Sequence, residues 1–228
     1  MTTEPLTALV TGANRGLGRR FTEELIARGA TVYAGARNPD TVDAPGAIPV
    51  ALDITDPESV RRATERAGDV NVVINNAGVS TGAGLLDGSW DDIRLEMETH
   101  YFGTLSMTRA FAPVIERNGG GAILNVLSVL SWMHSPASGA YSAAKAAGWA
   151  LTDALRAELA PRGVHVAALH VGYMDTDMVR DVSAPKSDPA AVARLALDGL
   201  FAGDPEILAD DLTRAVKAQL SASPAAAV

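Results

Sequence analysis

The sequence predicts an α/β fold in which helices cover both faces of a doubly wound parallel β-sheet, within a single domain over residues 1–228. Short apolar runs alternate along the chain with helical patterns, and this order is typical of parallel sheets. The apolar runs are rich in Val, Ile, Leu and Ala with little polar alternation, as in strands buried on both faces. Of the 228 residues, 47% are hydrophobic and 20% are charged, which suits a globular domain. We expect residues 221–228 to form a frayed tail.

Six segments are predicted as strands, and three helix starts are marked by capping residues. The strands, in order, are LTALV, TVYAGA, IPVAL, VNVVIN, AILNVLS and VHVAALH. Asp56 and Asp188 each precede a proline, which is a pattern of helix N-termini. Ser89 followed by Asp92 resembles a capping box. The alternation implies right-handed crossovers between neighbouring parallel strands.

Composition excludes several classes of function. The net charge of −8 argues against a nucleic-acid partner, because phosphate binding needs clustered Lys and Arg. The chain has no cysteine, which excludes disulfides and thiol catalysis and makes a cytoplasmic location the simplest expectation. The N-terminal residues carry no secretory pattern, and no apolar run is long enough to cross a membrane.

A glycine-rich turn, TGANRGLG, follows the first predicted strand and opens a helix. Such a turn allows the backbone to approach a pyrophosphate and directs helix N–H groups at it. The spacing of Gly12, Gly16 and Gly18 differs from the common dinucleotide fingerprint, so an ordinary tight turn is the competing interpretation. Its place after the first strand favours nucleotide binding.

Two arginines favour NADP(H) over NAD(H). Ala36 and Arg37 follow the second strand, where a carboxylate would bind an unmodified adenosine ribose. Arg15 lies in the glycine turn. Guanidinium groups can bind a 2′-phosphate through parallel hydrogen bonds, whereas the alternative is two solvated side chains.

Tyr141 and Lys145 are four residues apart in the segment YSAAK, so they share one face of a predicted helix. A nearby ammonium would lower the pKa of a phenol, whose ordinary value is about 10, and so support acid–base chemistry. The Tyr-x-x-x-Lys pattern alone is weak, and a surface pair is its usual explanation. Ser128 strengthens it, because it ends a buried strand at the edge where ligands bind to open α/β sheets.

Together these segments resemble the short-chain dehydrogenase/reductase family, with its Rossmann-type fold. The matching motifs are TGANRGLG, LDIT, NNAG, the Ser128–Tyr141–Lys145 spacing and VGYMDT. The resemblance implies an enzyme that transfers hydride between nicotinamide and a carbonyl or carbinol carbon. It assigns cofactor binding to Gly12, Asn14, Arg15, Gly16, Leu17, Gly18, Arg37, Asp53, Ile54, Asn75, Ala77, Gly78, Tyr141, Lys145, Gly172 and Thr176.

The resemblance also implies the roles of the catalytic residues. Tyr141 would be the general acid in reduction and the base in oxidation, and Ser128 would hydrogen-bond the substrate oxygen. Lys145 would bind the nicotinamide ribose and keep Tyr141 acidic. The chemistry of hydride transfer belongs to the cofactor, and the protein supplies position and field.

Two residues depart from the family pattern. His100 replaces an asparagine that lies, in relatives, at a helix irregularity whose main-chain carbonyl holds a water of the proton relay. Three interpretations of His100 follow. It is a tolerated replacement, it joins the proton relay and so counts among the catalytic residues, or it indicates a weakened catalyst. No metal site is expected there. Val171 replaces a proline before Gly172, which restores an amide hydrogen and frees the turn.

The substrate is expected to be a small molecule with a carbonyl or alcohol group, bound by loops after the later strands. The candidate substrate residues are Ser80, Met133, His134, Tyr173 and Met178. The resemblance implies a homodimer or homotetramer, with no membrane or nucleic-acid partner. Two alternatives stay open: a non-catalytic NADP-binding sensor on the same fold, and an enzyme that reduces an imine or enone.

Overall fold

A computed structural model describes residues 5–134, 136–180 and 183–220, and it contains a seven-stranded parallel sheet. The strand order is β3-β2-β1-β4-β5-β6-β7. The strands are β1 (Thr7–Thr11), β2 (Thr31–Ala36), β3 (Ile48–Ala51), β4 (Val72–Asn75), β5 (Gly121–Val126), β6 (Val164–His170) and β7 (Glu206–Leu208). The predicted tail over residues 221–228 lies outside the described residues.

The described residues contain seven α-helices. They are α1 (Gly16–Ala27), α2 (Pro57–Arg66), α3 (Trp90–Met97), α4 (Thr104–Arg117), α5 (Gly139–Leu159), α6 (Pro189–Ala202) and α7 (Asp211–Ala218). Buried apolar residues of α1 and α6 form one core on one face of the sheet. Those of α2, α4 and α5 form a second core on the other face. The predicted doubly wound fold is therefore confirmed.

The predicted helix starts are confirmed in position. The Asp56 and Asp188 side chains accept hydrogen bonds from the first turns of α2 and α6, and each cap is followed by a proline. Ser89 caps α3 by accepting a hydrogen bond from Asp92 N at 3.1 Å. Its hydroxyl also donates to Asp92 Oδ2 at 2.7 Å, so the two side chains bond to each other. These caps satisfy N–H groups that the first helical turn leaves without partners.

Strand β7 was not predicted from the sequence. Its three residues are too few to show a hydrophobic period, and they pair with β6 only after the chain has returned through α6. The Asp210 side chain then begins α7 with a capping box to Thr213. Within the described residues, no helix is both long and apolar enough to span a bilayer.

The strand order determines where a ligand site can form. The chain runs outward from β1 to β2 and β3 and then returns to β4 on the other side of β1. At such a reversal, the loops after the neighbouring strands diverge and leave a crevice at the carboxyl edge. The loop after β1 is the glycine turn, and the loop after β4 carries the NNAG segment.

Candidate active site

The glycine turn after β1 has a backbone conformation and a close packing that disfavour side chains at its glycines. Gly12 has a φ of +64° and Gly16 a φ of +53°, in the left-handed region where glycine is favoured. A Cβ at Gly18 would lie 2.1 Å from the Gly12 carbonyl oxygen. The start of α1 therefore lies directly on the turn, and its N-terminus faces the crevice.

Two side chains hold this turn against the loop after β4. Asn76 Nδ2 donates to the carbonyl oxygens of Thr11 at 2.9 Å and Gly12 at 3.3 Å. The Thr11 hydroxyl accepts from the N–H groups of Asn76 and Ala77, each at 2.9 Å. The sequence analysis did not select Asn76, although its place in the NNAG segment was a signal that could have found it.

Asn75, a predicted cofactor residue, has a side chain that is directed into the protein. It is 6% exposed, and its Nδ2 donates to Asn125 Oδ1 on β5 at 2.9 Å. Asn125 Nδ2 continues the chain of hydrogen bonds to the Thr152 hydroxyl on α5 at 3.0 Å. The Asn75 side chain therefore bonds to the neighbouring strand β5, and its amide is directed away from the crevice.

The other predicted cofactor residues around the adenosine end differ in accessibility. Arg15 and Arg37 are exposed, whereas Leu17 and Ile54 are buried and Asn14 is half-buried. Asp53 is also half-buried. Its Oδ1 accepts from the Thr55 N–H at 2.9 Å and hydroxyl at 2.7 Å, which leaves the second oxygen for a ligand.

Ser128, Tyr141 and Lys145 converge at the carboxyl end of β5. Lys145 Nζ donates to the carbonyl oxygen of Val126 at 2.8 Å and lies 5.6 Å from the centre of the Tyr141 ring. The Ser128 hydroxyl accepts from Leu130 N at 3.1 Å at the start of a short 3₁₀ turn. The structure therefore brings these three predicted catalytic residues together.

Burial shifts the proton affinities of this group. It raises the pKa of Tyr141 well above its usual value, and a hydrogen bond with Ser128 opposes this only in part. Burial also lowers the pKa of Lys145 to about 8, against the favourable charge of Glu96. Desolvation of the phenolate dominates the net shift, and the expected lowering of the Tyr141 pKa by Lys145 stays a prediction.

His100 lies in a helix irregularity, as the family resemblance implied. Residues Glu98–Gly103 form a π-helical turn between α3 and α4. The imidazole is buried, with Nε2 at 2.9 Å from the carbonyl oxygen of Val79. Its ring packs edge-on against Tyr141, with 5.1 Å between the ring centres. Burial and then the charge of Lys145 lower its pKa, although Glu96 and Val79 oppose this.

Glu96 was missed by the sequence analysis and is fully buried beside His100. Its Oε1 accepts from the Thr81 N–H at 2.7 Å and hydroxyl at 2.9 Å. Its Oε2 lies 3.3 Å from His100 Nε2, without the alignment of a hydrogen bond, and accepts no hydrogen bond from the described residues. Burial raises the pKa of Glu96, but the adjacent His100 ring and the hydrogen bonds from Thr81 outweigh it and leave the pKa lowered. Its i, i+4 spacing from His100 on a helix was the available signal.

The segment after β6 returns to the glycine turn. A Cβ at Gly16 would lie 3.5 Å from Thr176 Cγ2, so Thr176 covers the mouth of the turn. Gly172 N donates to Asp210 Oδ2 at 2.7 Å, which joins this segment to the cap of α7. Val171 is buried in the core beside α1 and α6. Asp210 was not foreseen, because its partner is 38 residues away in the chain.

The predicted substrate residues lie at the surface of the protein. Met133, His134, Tyr173, Met178 and Ser80 are all exposed. The loop that carries Tyr173 is closed on itself, since Ser187 N donates to Tyr173 O at 2.8 Å and Asp175 N to Ser187 O at 3.0 Å. Asp181 and Val182 of this loop lie outside the described residues.

Comparison with known proteins identifies the family. Residues 6–187 match the family model for short chain dehydrogenases. The chain is 33% identical over 196 residues to 3-oxoacyl-(acyl-carrier-protein) reductase FabG of Salmonella typhimurium, which covers 80% of this chain and 79% of that protein. The chain belongs to the short-chain dehydrogenase/reductase family, and is therefore an oxidoreductase.

Solved structures of relatives have the same architecture. A short chain dehydrogenase from Burkholderia cenocepacia in complex with NADP is 41% identical, with a TM-score of 0.92 over 98% of this chain and 95% of that one. A short-chain dehydrogenase from Streptomyces avermitilis is 28% identical, with a TM-score of 0.84 over 95% of this chain and 92% of that one.

Proposed function

We propose that this protein is an NADP(H)-dependent oxidoreductase that transfers hydride between nicotinamide and a ketone, aldehyde or secondary alcohol. The observation that carries the proposal is the convergence of Ser128, Tyr141 and Lys145 beside the crevice at the β1–β4 reversal. A general acid and a dinucleotide turn at one edge of the sheet are what such a transfer needs.

The residues of the crevice fit NADP(H). The close packing at Gly12 and Gly18, where a Cβ would meet the main chain of Ala77 and of Gly12, sets the turn against the N-terminus of α1, which suits a pyrophosphate. Arg15 and Arg37 are exposed on the adenosine side, where guanidinium groups suit a 2′-phosphate. The NADP bound by the Burkholderia relative supports the same choice for this chain. Thr176 would lie near the nicotinamide end, because it covers the mouth of the turn.

When bound, the cofactor supplies or accepts the hydride at nicotinamide C4. Tyr141 donates its hydroxyl proton to the substrate oxygen during reduction and accepts that proton during oxidation. Ser128 holds the substrate oxygen, since its hydroxyl lies at the end of β5 within reach of Tyr141. Lys145 remains between the Val126 carbonyl and the Tyr141 ring, where its charge favours transfer of the phenol proton.

A carbonyl substrate is favoured over an imine or an enone. The relatives include a reductase whose name specifies a 3-oxoacyl substrate, and that group is a ketone. Met133, Tyr173 and Met178 give the exposed side of the site apolar surface for the body of such a substrate. A homodimer or homotetramer in the cytoplasm remains our prediction for the assembly and location of the protein.

The test is a panel of ketones and aldehydes assayed by loss of NADPH absorbance, with Tyr141→Phe as the control. The Phe variant keeps the shape of the ring but lacks the transferable proton. Turnover should fall by a factor of roughly 10² or more, whereas NADPH should still bind. If the Phe variant keeps most of its turnover, Tyr141 is not the acid. If the wild type binds NADPH tightly yet reduces no member of the panel, the sensor hypothesis gains support.

A further inference from the structure

Glu96 and His100 form a buried pair that the family roles of Ser128, Tyr141 and Lys145 do not use. Both side chains are buried beneath the loop after β4, and Glu96 lies on α3 one helical turn before His100. A buried carboxylate is costly unless it is held by hydrogen bonds or by an opposite charge. Its presence beside the catalytic group therefore calls for a physical reason.

The contacts of Glu96 hold one oxygen firmly and direct the other toward His100. Thr81 donates twice to Oε1, through its N–H and its hydroxyl. Oε2 lies 3.3 Å from His100 Nε2 and accepts no hydrogen bond from the described residues. The carboxylate is thus oriented from the loop side and faces the imidazole.

The surroundings of His100 determine its tautomer. Nε2 lies between two acceptors, the Val79 carbonyl oxygen at 2.9 Å and Glu96 Oε2 at 3.3 Å. A nitrogen between two acceptors must carry the proton, so His100 is the Nε2–H tautomer. The ring fits because position 78 is glycine: a Cβ there would lie 2.7 Å from His100 Cε1. The same ring presents its edge to Tyr141.

We propose that Glu96 is a positioning residue of the reaction, which fixes the His100 ring against Tyr141 and supplies a buried negative charge that faces Tyr141 and Lys145. The proposal rests on the proposed function only in its kinetic part. The negative charge favours the protonated forms of both groups, so it raises the pKa of Tyr141 and that of Lys145. It thereby opposes the loss of the Lys145 ammonium that burial promotes.

Glu96 is the acidic side chain of this cluster, among the residues that the structure describes. Tyr141 and Lys145 face it from α5. The loop over residues 76–83 contributes main-chain and hydroxyl groups and contains no titratable side chain. His170 faces Lys145 from β6, and burial keeps it neutral by lowering its pKa to about 3.

The kinetic test is the pH dependence of kcat/KM in Glu96→Gln, with Glu98→Gln as the matched control. Glu98 is exposed two residues away on the same helical segment, so its variant removes the same charge from a solvated place. We expect the inflection of Lys145, whose pKa is about 8 and would be lower without Glu96, to move to lower pH by about one unit in Glu96→Gln and to stay in place in Glu98→Gln. Profiles that superimpose would overturn the proposal, because a purely structural role changes stability without moving the inflection.

A second measurement requires no turnover and separates this inference from the proposed function. The ¹⁵N chemical shifts of the histidine rings report their tautomers, and loss of one signal in His100→Asn assigns His100. We expect neutral Nε2–H in the wild type and a change of tautomer or of shift in Glu96→Gln. Neutral Nδ1–H in the wild type would overturn the proposal even if carbonyl reduction is confirmed.

A milder variant covers the case in which Glu96→Gln fails to fold. Thr81→Val removes the hydroxyl donor to Glu96 Oε1 and keeps the main-chain donor. Because this weakens the support of the carboxylate charge, the inflection should move in the same direction as in Glu96→Gln but by a smaller amount. A shift to higher pH would contradict the proposed sign.

Discussion

Arg37 is the residue on which the choice between NADP(H) and NAD(H) depends most directly. Its guanidinium is exposed at the end of β2, and it forms no ion pair with a described carboxylate. Other arginines nearby do have acidic partners, such as Arg20 with Glu23 at 2.7 Å. An arginine without such a partner at this strand end is available for a phosphate.

Arg37→Ala should therefore weaken NADPH binding by tenfold or more and leave NADH binding almost unchanged. The lost charged contact corresponds to roughly 1.5–3 kcal/mol. Calorimetric titration of both cofactors measures the effect, with Arg20→Ala as a control that removes an exposed arginine from α1. Equal losses for NADPH and NADH would show that Arg37 does not contact the 2′-phosphate.

His100 shows how a replacement at one residue depends on its neighbours. The imidazole is larger than the asparagine side chain that the family pattern leads one to expect, and the glycine at position 78 makes the space for it. The Val79 carbonyl oxygen lies within hydrogen-bond distance of its Nε2 at 2.9 Å, and Glu96 Oε2 lies 3.3 Å from the same nitrogen. That His100 belongs to the proton relay stays a prediction, which its edge-on contact with Tyr141 supports.

At the scale of elements, the junction between the glycine turn and the loop after β4 positions the proposed cofactor site. Asn76 bonds the carbonyls of Thr11 and Gly12, and Thr11 bonds back to the N–H groups of residues 76 and 77. A comparable amide lies on the opposite edge of the sheet. Asn118 Nδ2 donates to Gly68 O at 3.1 Å and to Val70 O at 3.0 Å.

These two asparagines permit a matched experiment. Asn76→Ala and Asn118→Ala each remove two hydrogen bonds to carbonyls and should each lower the free energy of unfolding by roughly 1–3 kcal/mol. Only Asn76→Ala should also weaken NADPH binding, by about threefold or more, because only it loosens the turn. Denaturant unfolding and cofactor titration of both variants provide the measurements. Equal cofactor affinities in the two variants would contradict a role of Asn76 in shaping the turn.

At the scale of the whole molecule, the C-terminal elements are tied to the catalytic strand through His170. This fully buried residue on β6 stacks on Trp132 with 3.7 Å between ring centres, and its Nδ1 lies 3.3 Å from the Ser128 carbonyl oxygen. Lys217 on α7 lies 4.8 Å from the centre of the Trp132 ring and forms an ion pair with Glu206 on β7. Protonation of His170 would place a charge inside this packed cluster.

Stability should consequently fall in acid. Burial lowers the pKa of His170 to about 3 in the folded protein, whereas an unfolded histidine has its ordinary value of about 6.5. As the pH falls, the unfolded state binds a proton at His170 before the folded state does. The contribution of His170 to the free energy of unfolding is therefore full above about pH 6.5 and is lost as the pH falls toward 3. The free energy of unfolding should decrease by up to about 1.4 kcal/mol per pH unit in this range.

His170→Gln should reduce this acid sensitivity, because glutamine does not titrate and retains a donor for the Ser128 carbonyl. Denaturant unfolding at several pH values measures it, and His134→Gln is the control, since His134 is exposed. If the wild type and His170→Gln lose stability in parallel between pH 6.5 and 4, other groups cause the acid sensitivity.

The sequence by itself determined the fold class, six of the strands and the catalytic spacing on α5. These features depend on local periodicity, on capping residues such as Asp56 and Asp188, and on motifs read along a continuous stretch. The family that these motifs resembled is confirmed by the comparisons.

Only the tertiary structure decided which side chains meet across the chain. It turned Asn75 toward Asn125, joined Asp210 to Gly172, paired β7 with β6 and buried Glu96 beside the catalytic group. It also made burial the dominant influence on the pKa of Tyr141. Sequence patterns could not reveal these features, because desolvation and long-range hydrogen bonds depend on packing between segments that are far apart in the chain.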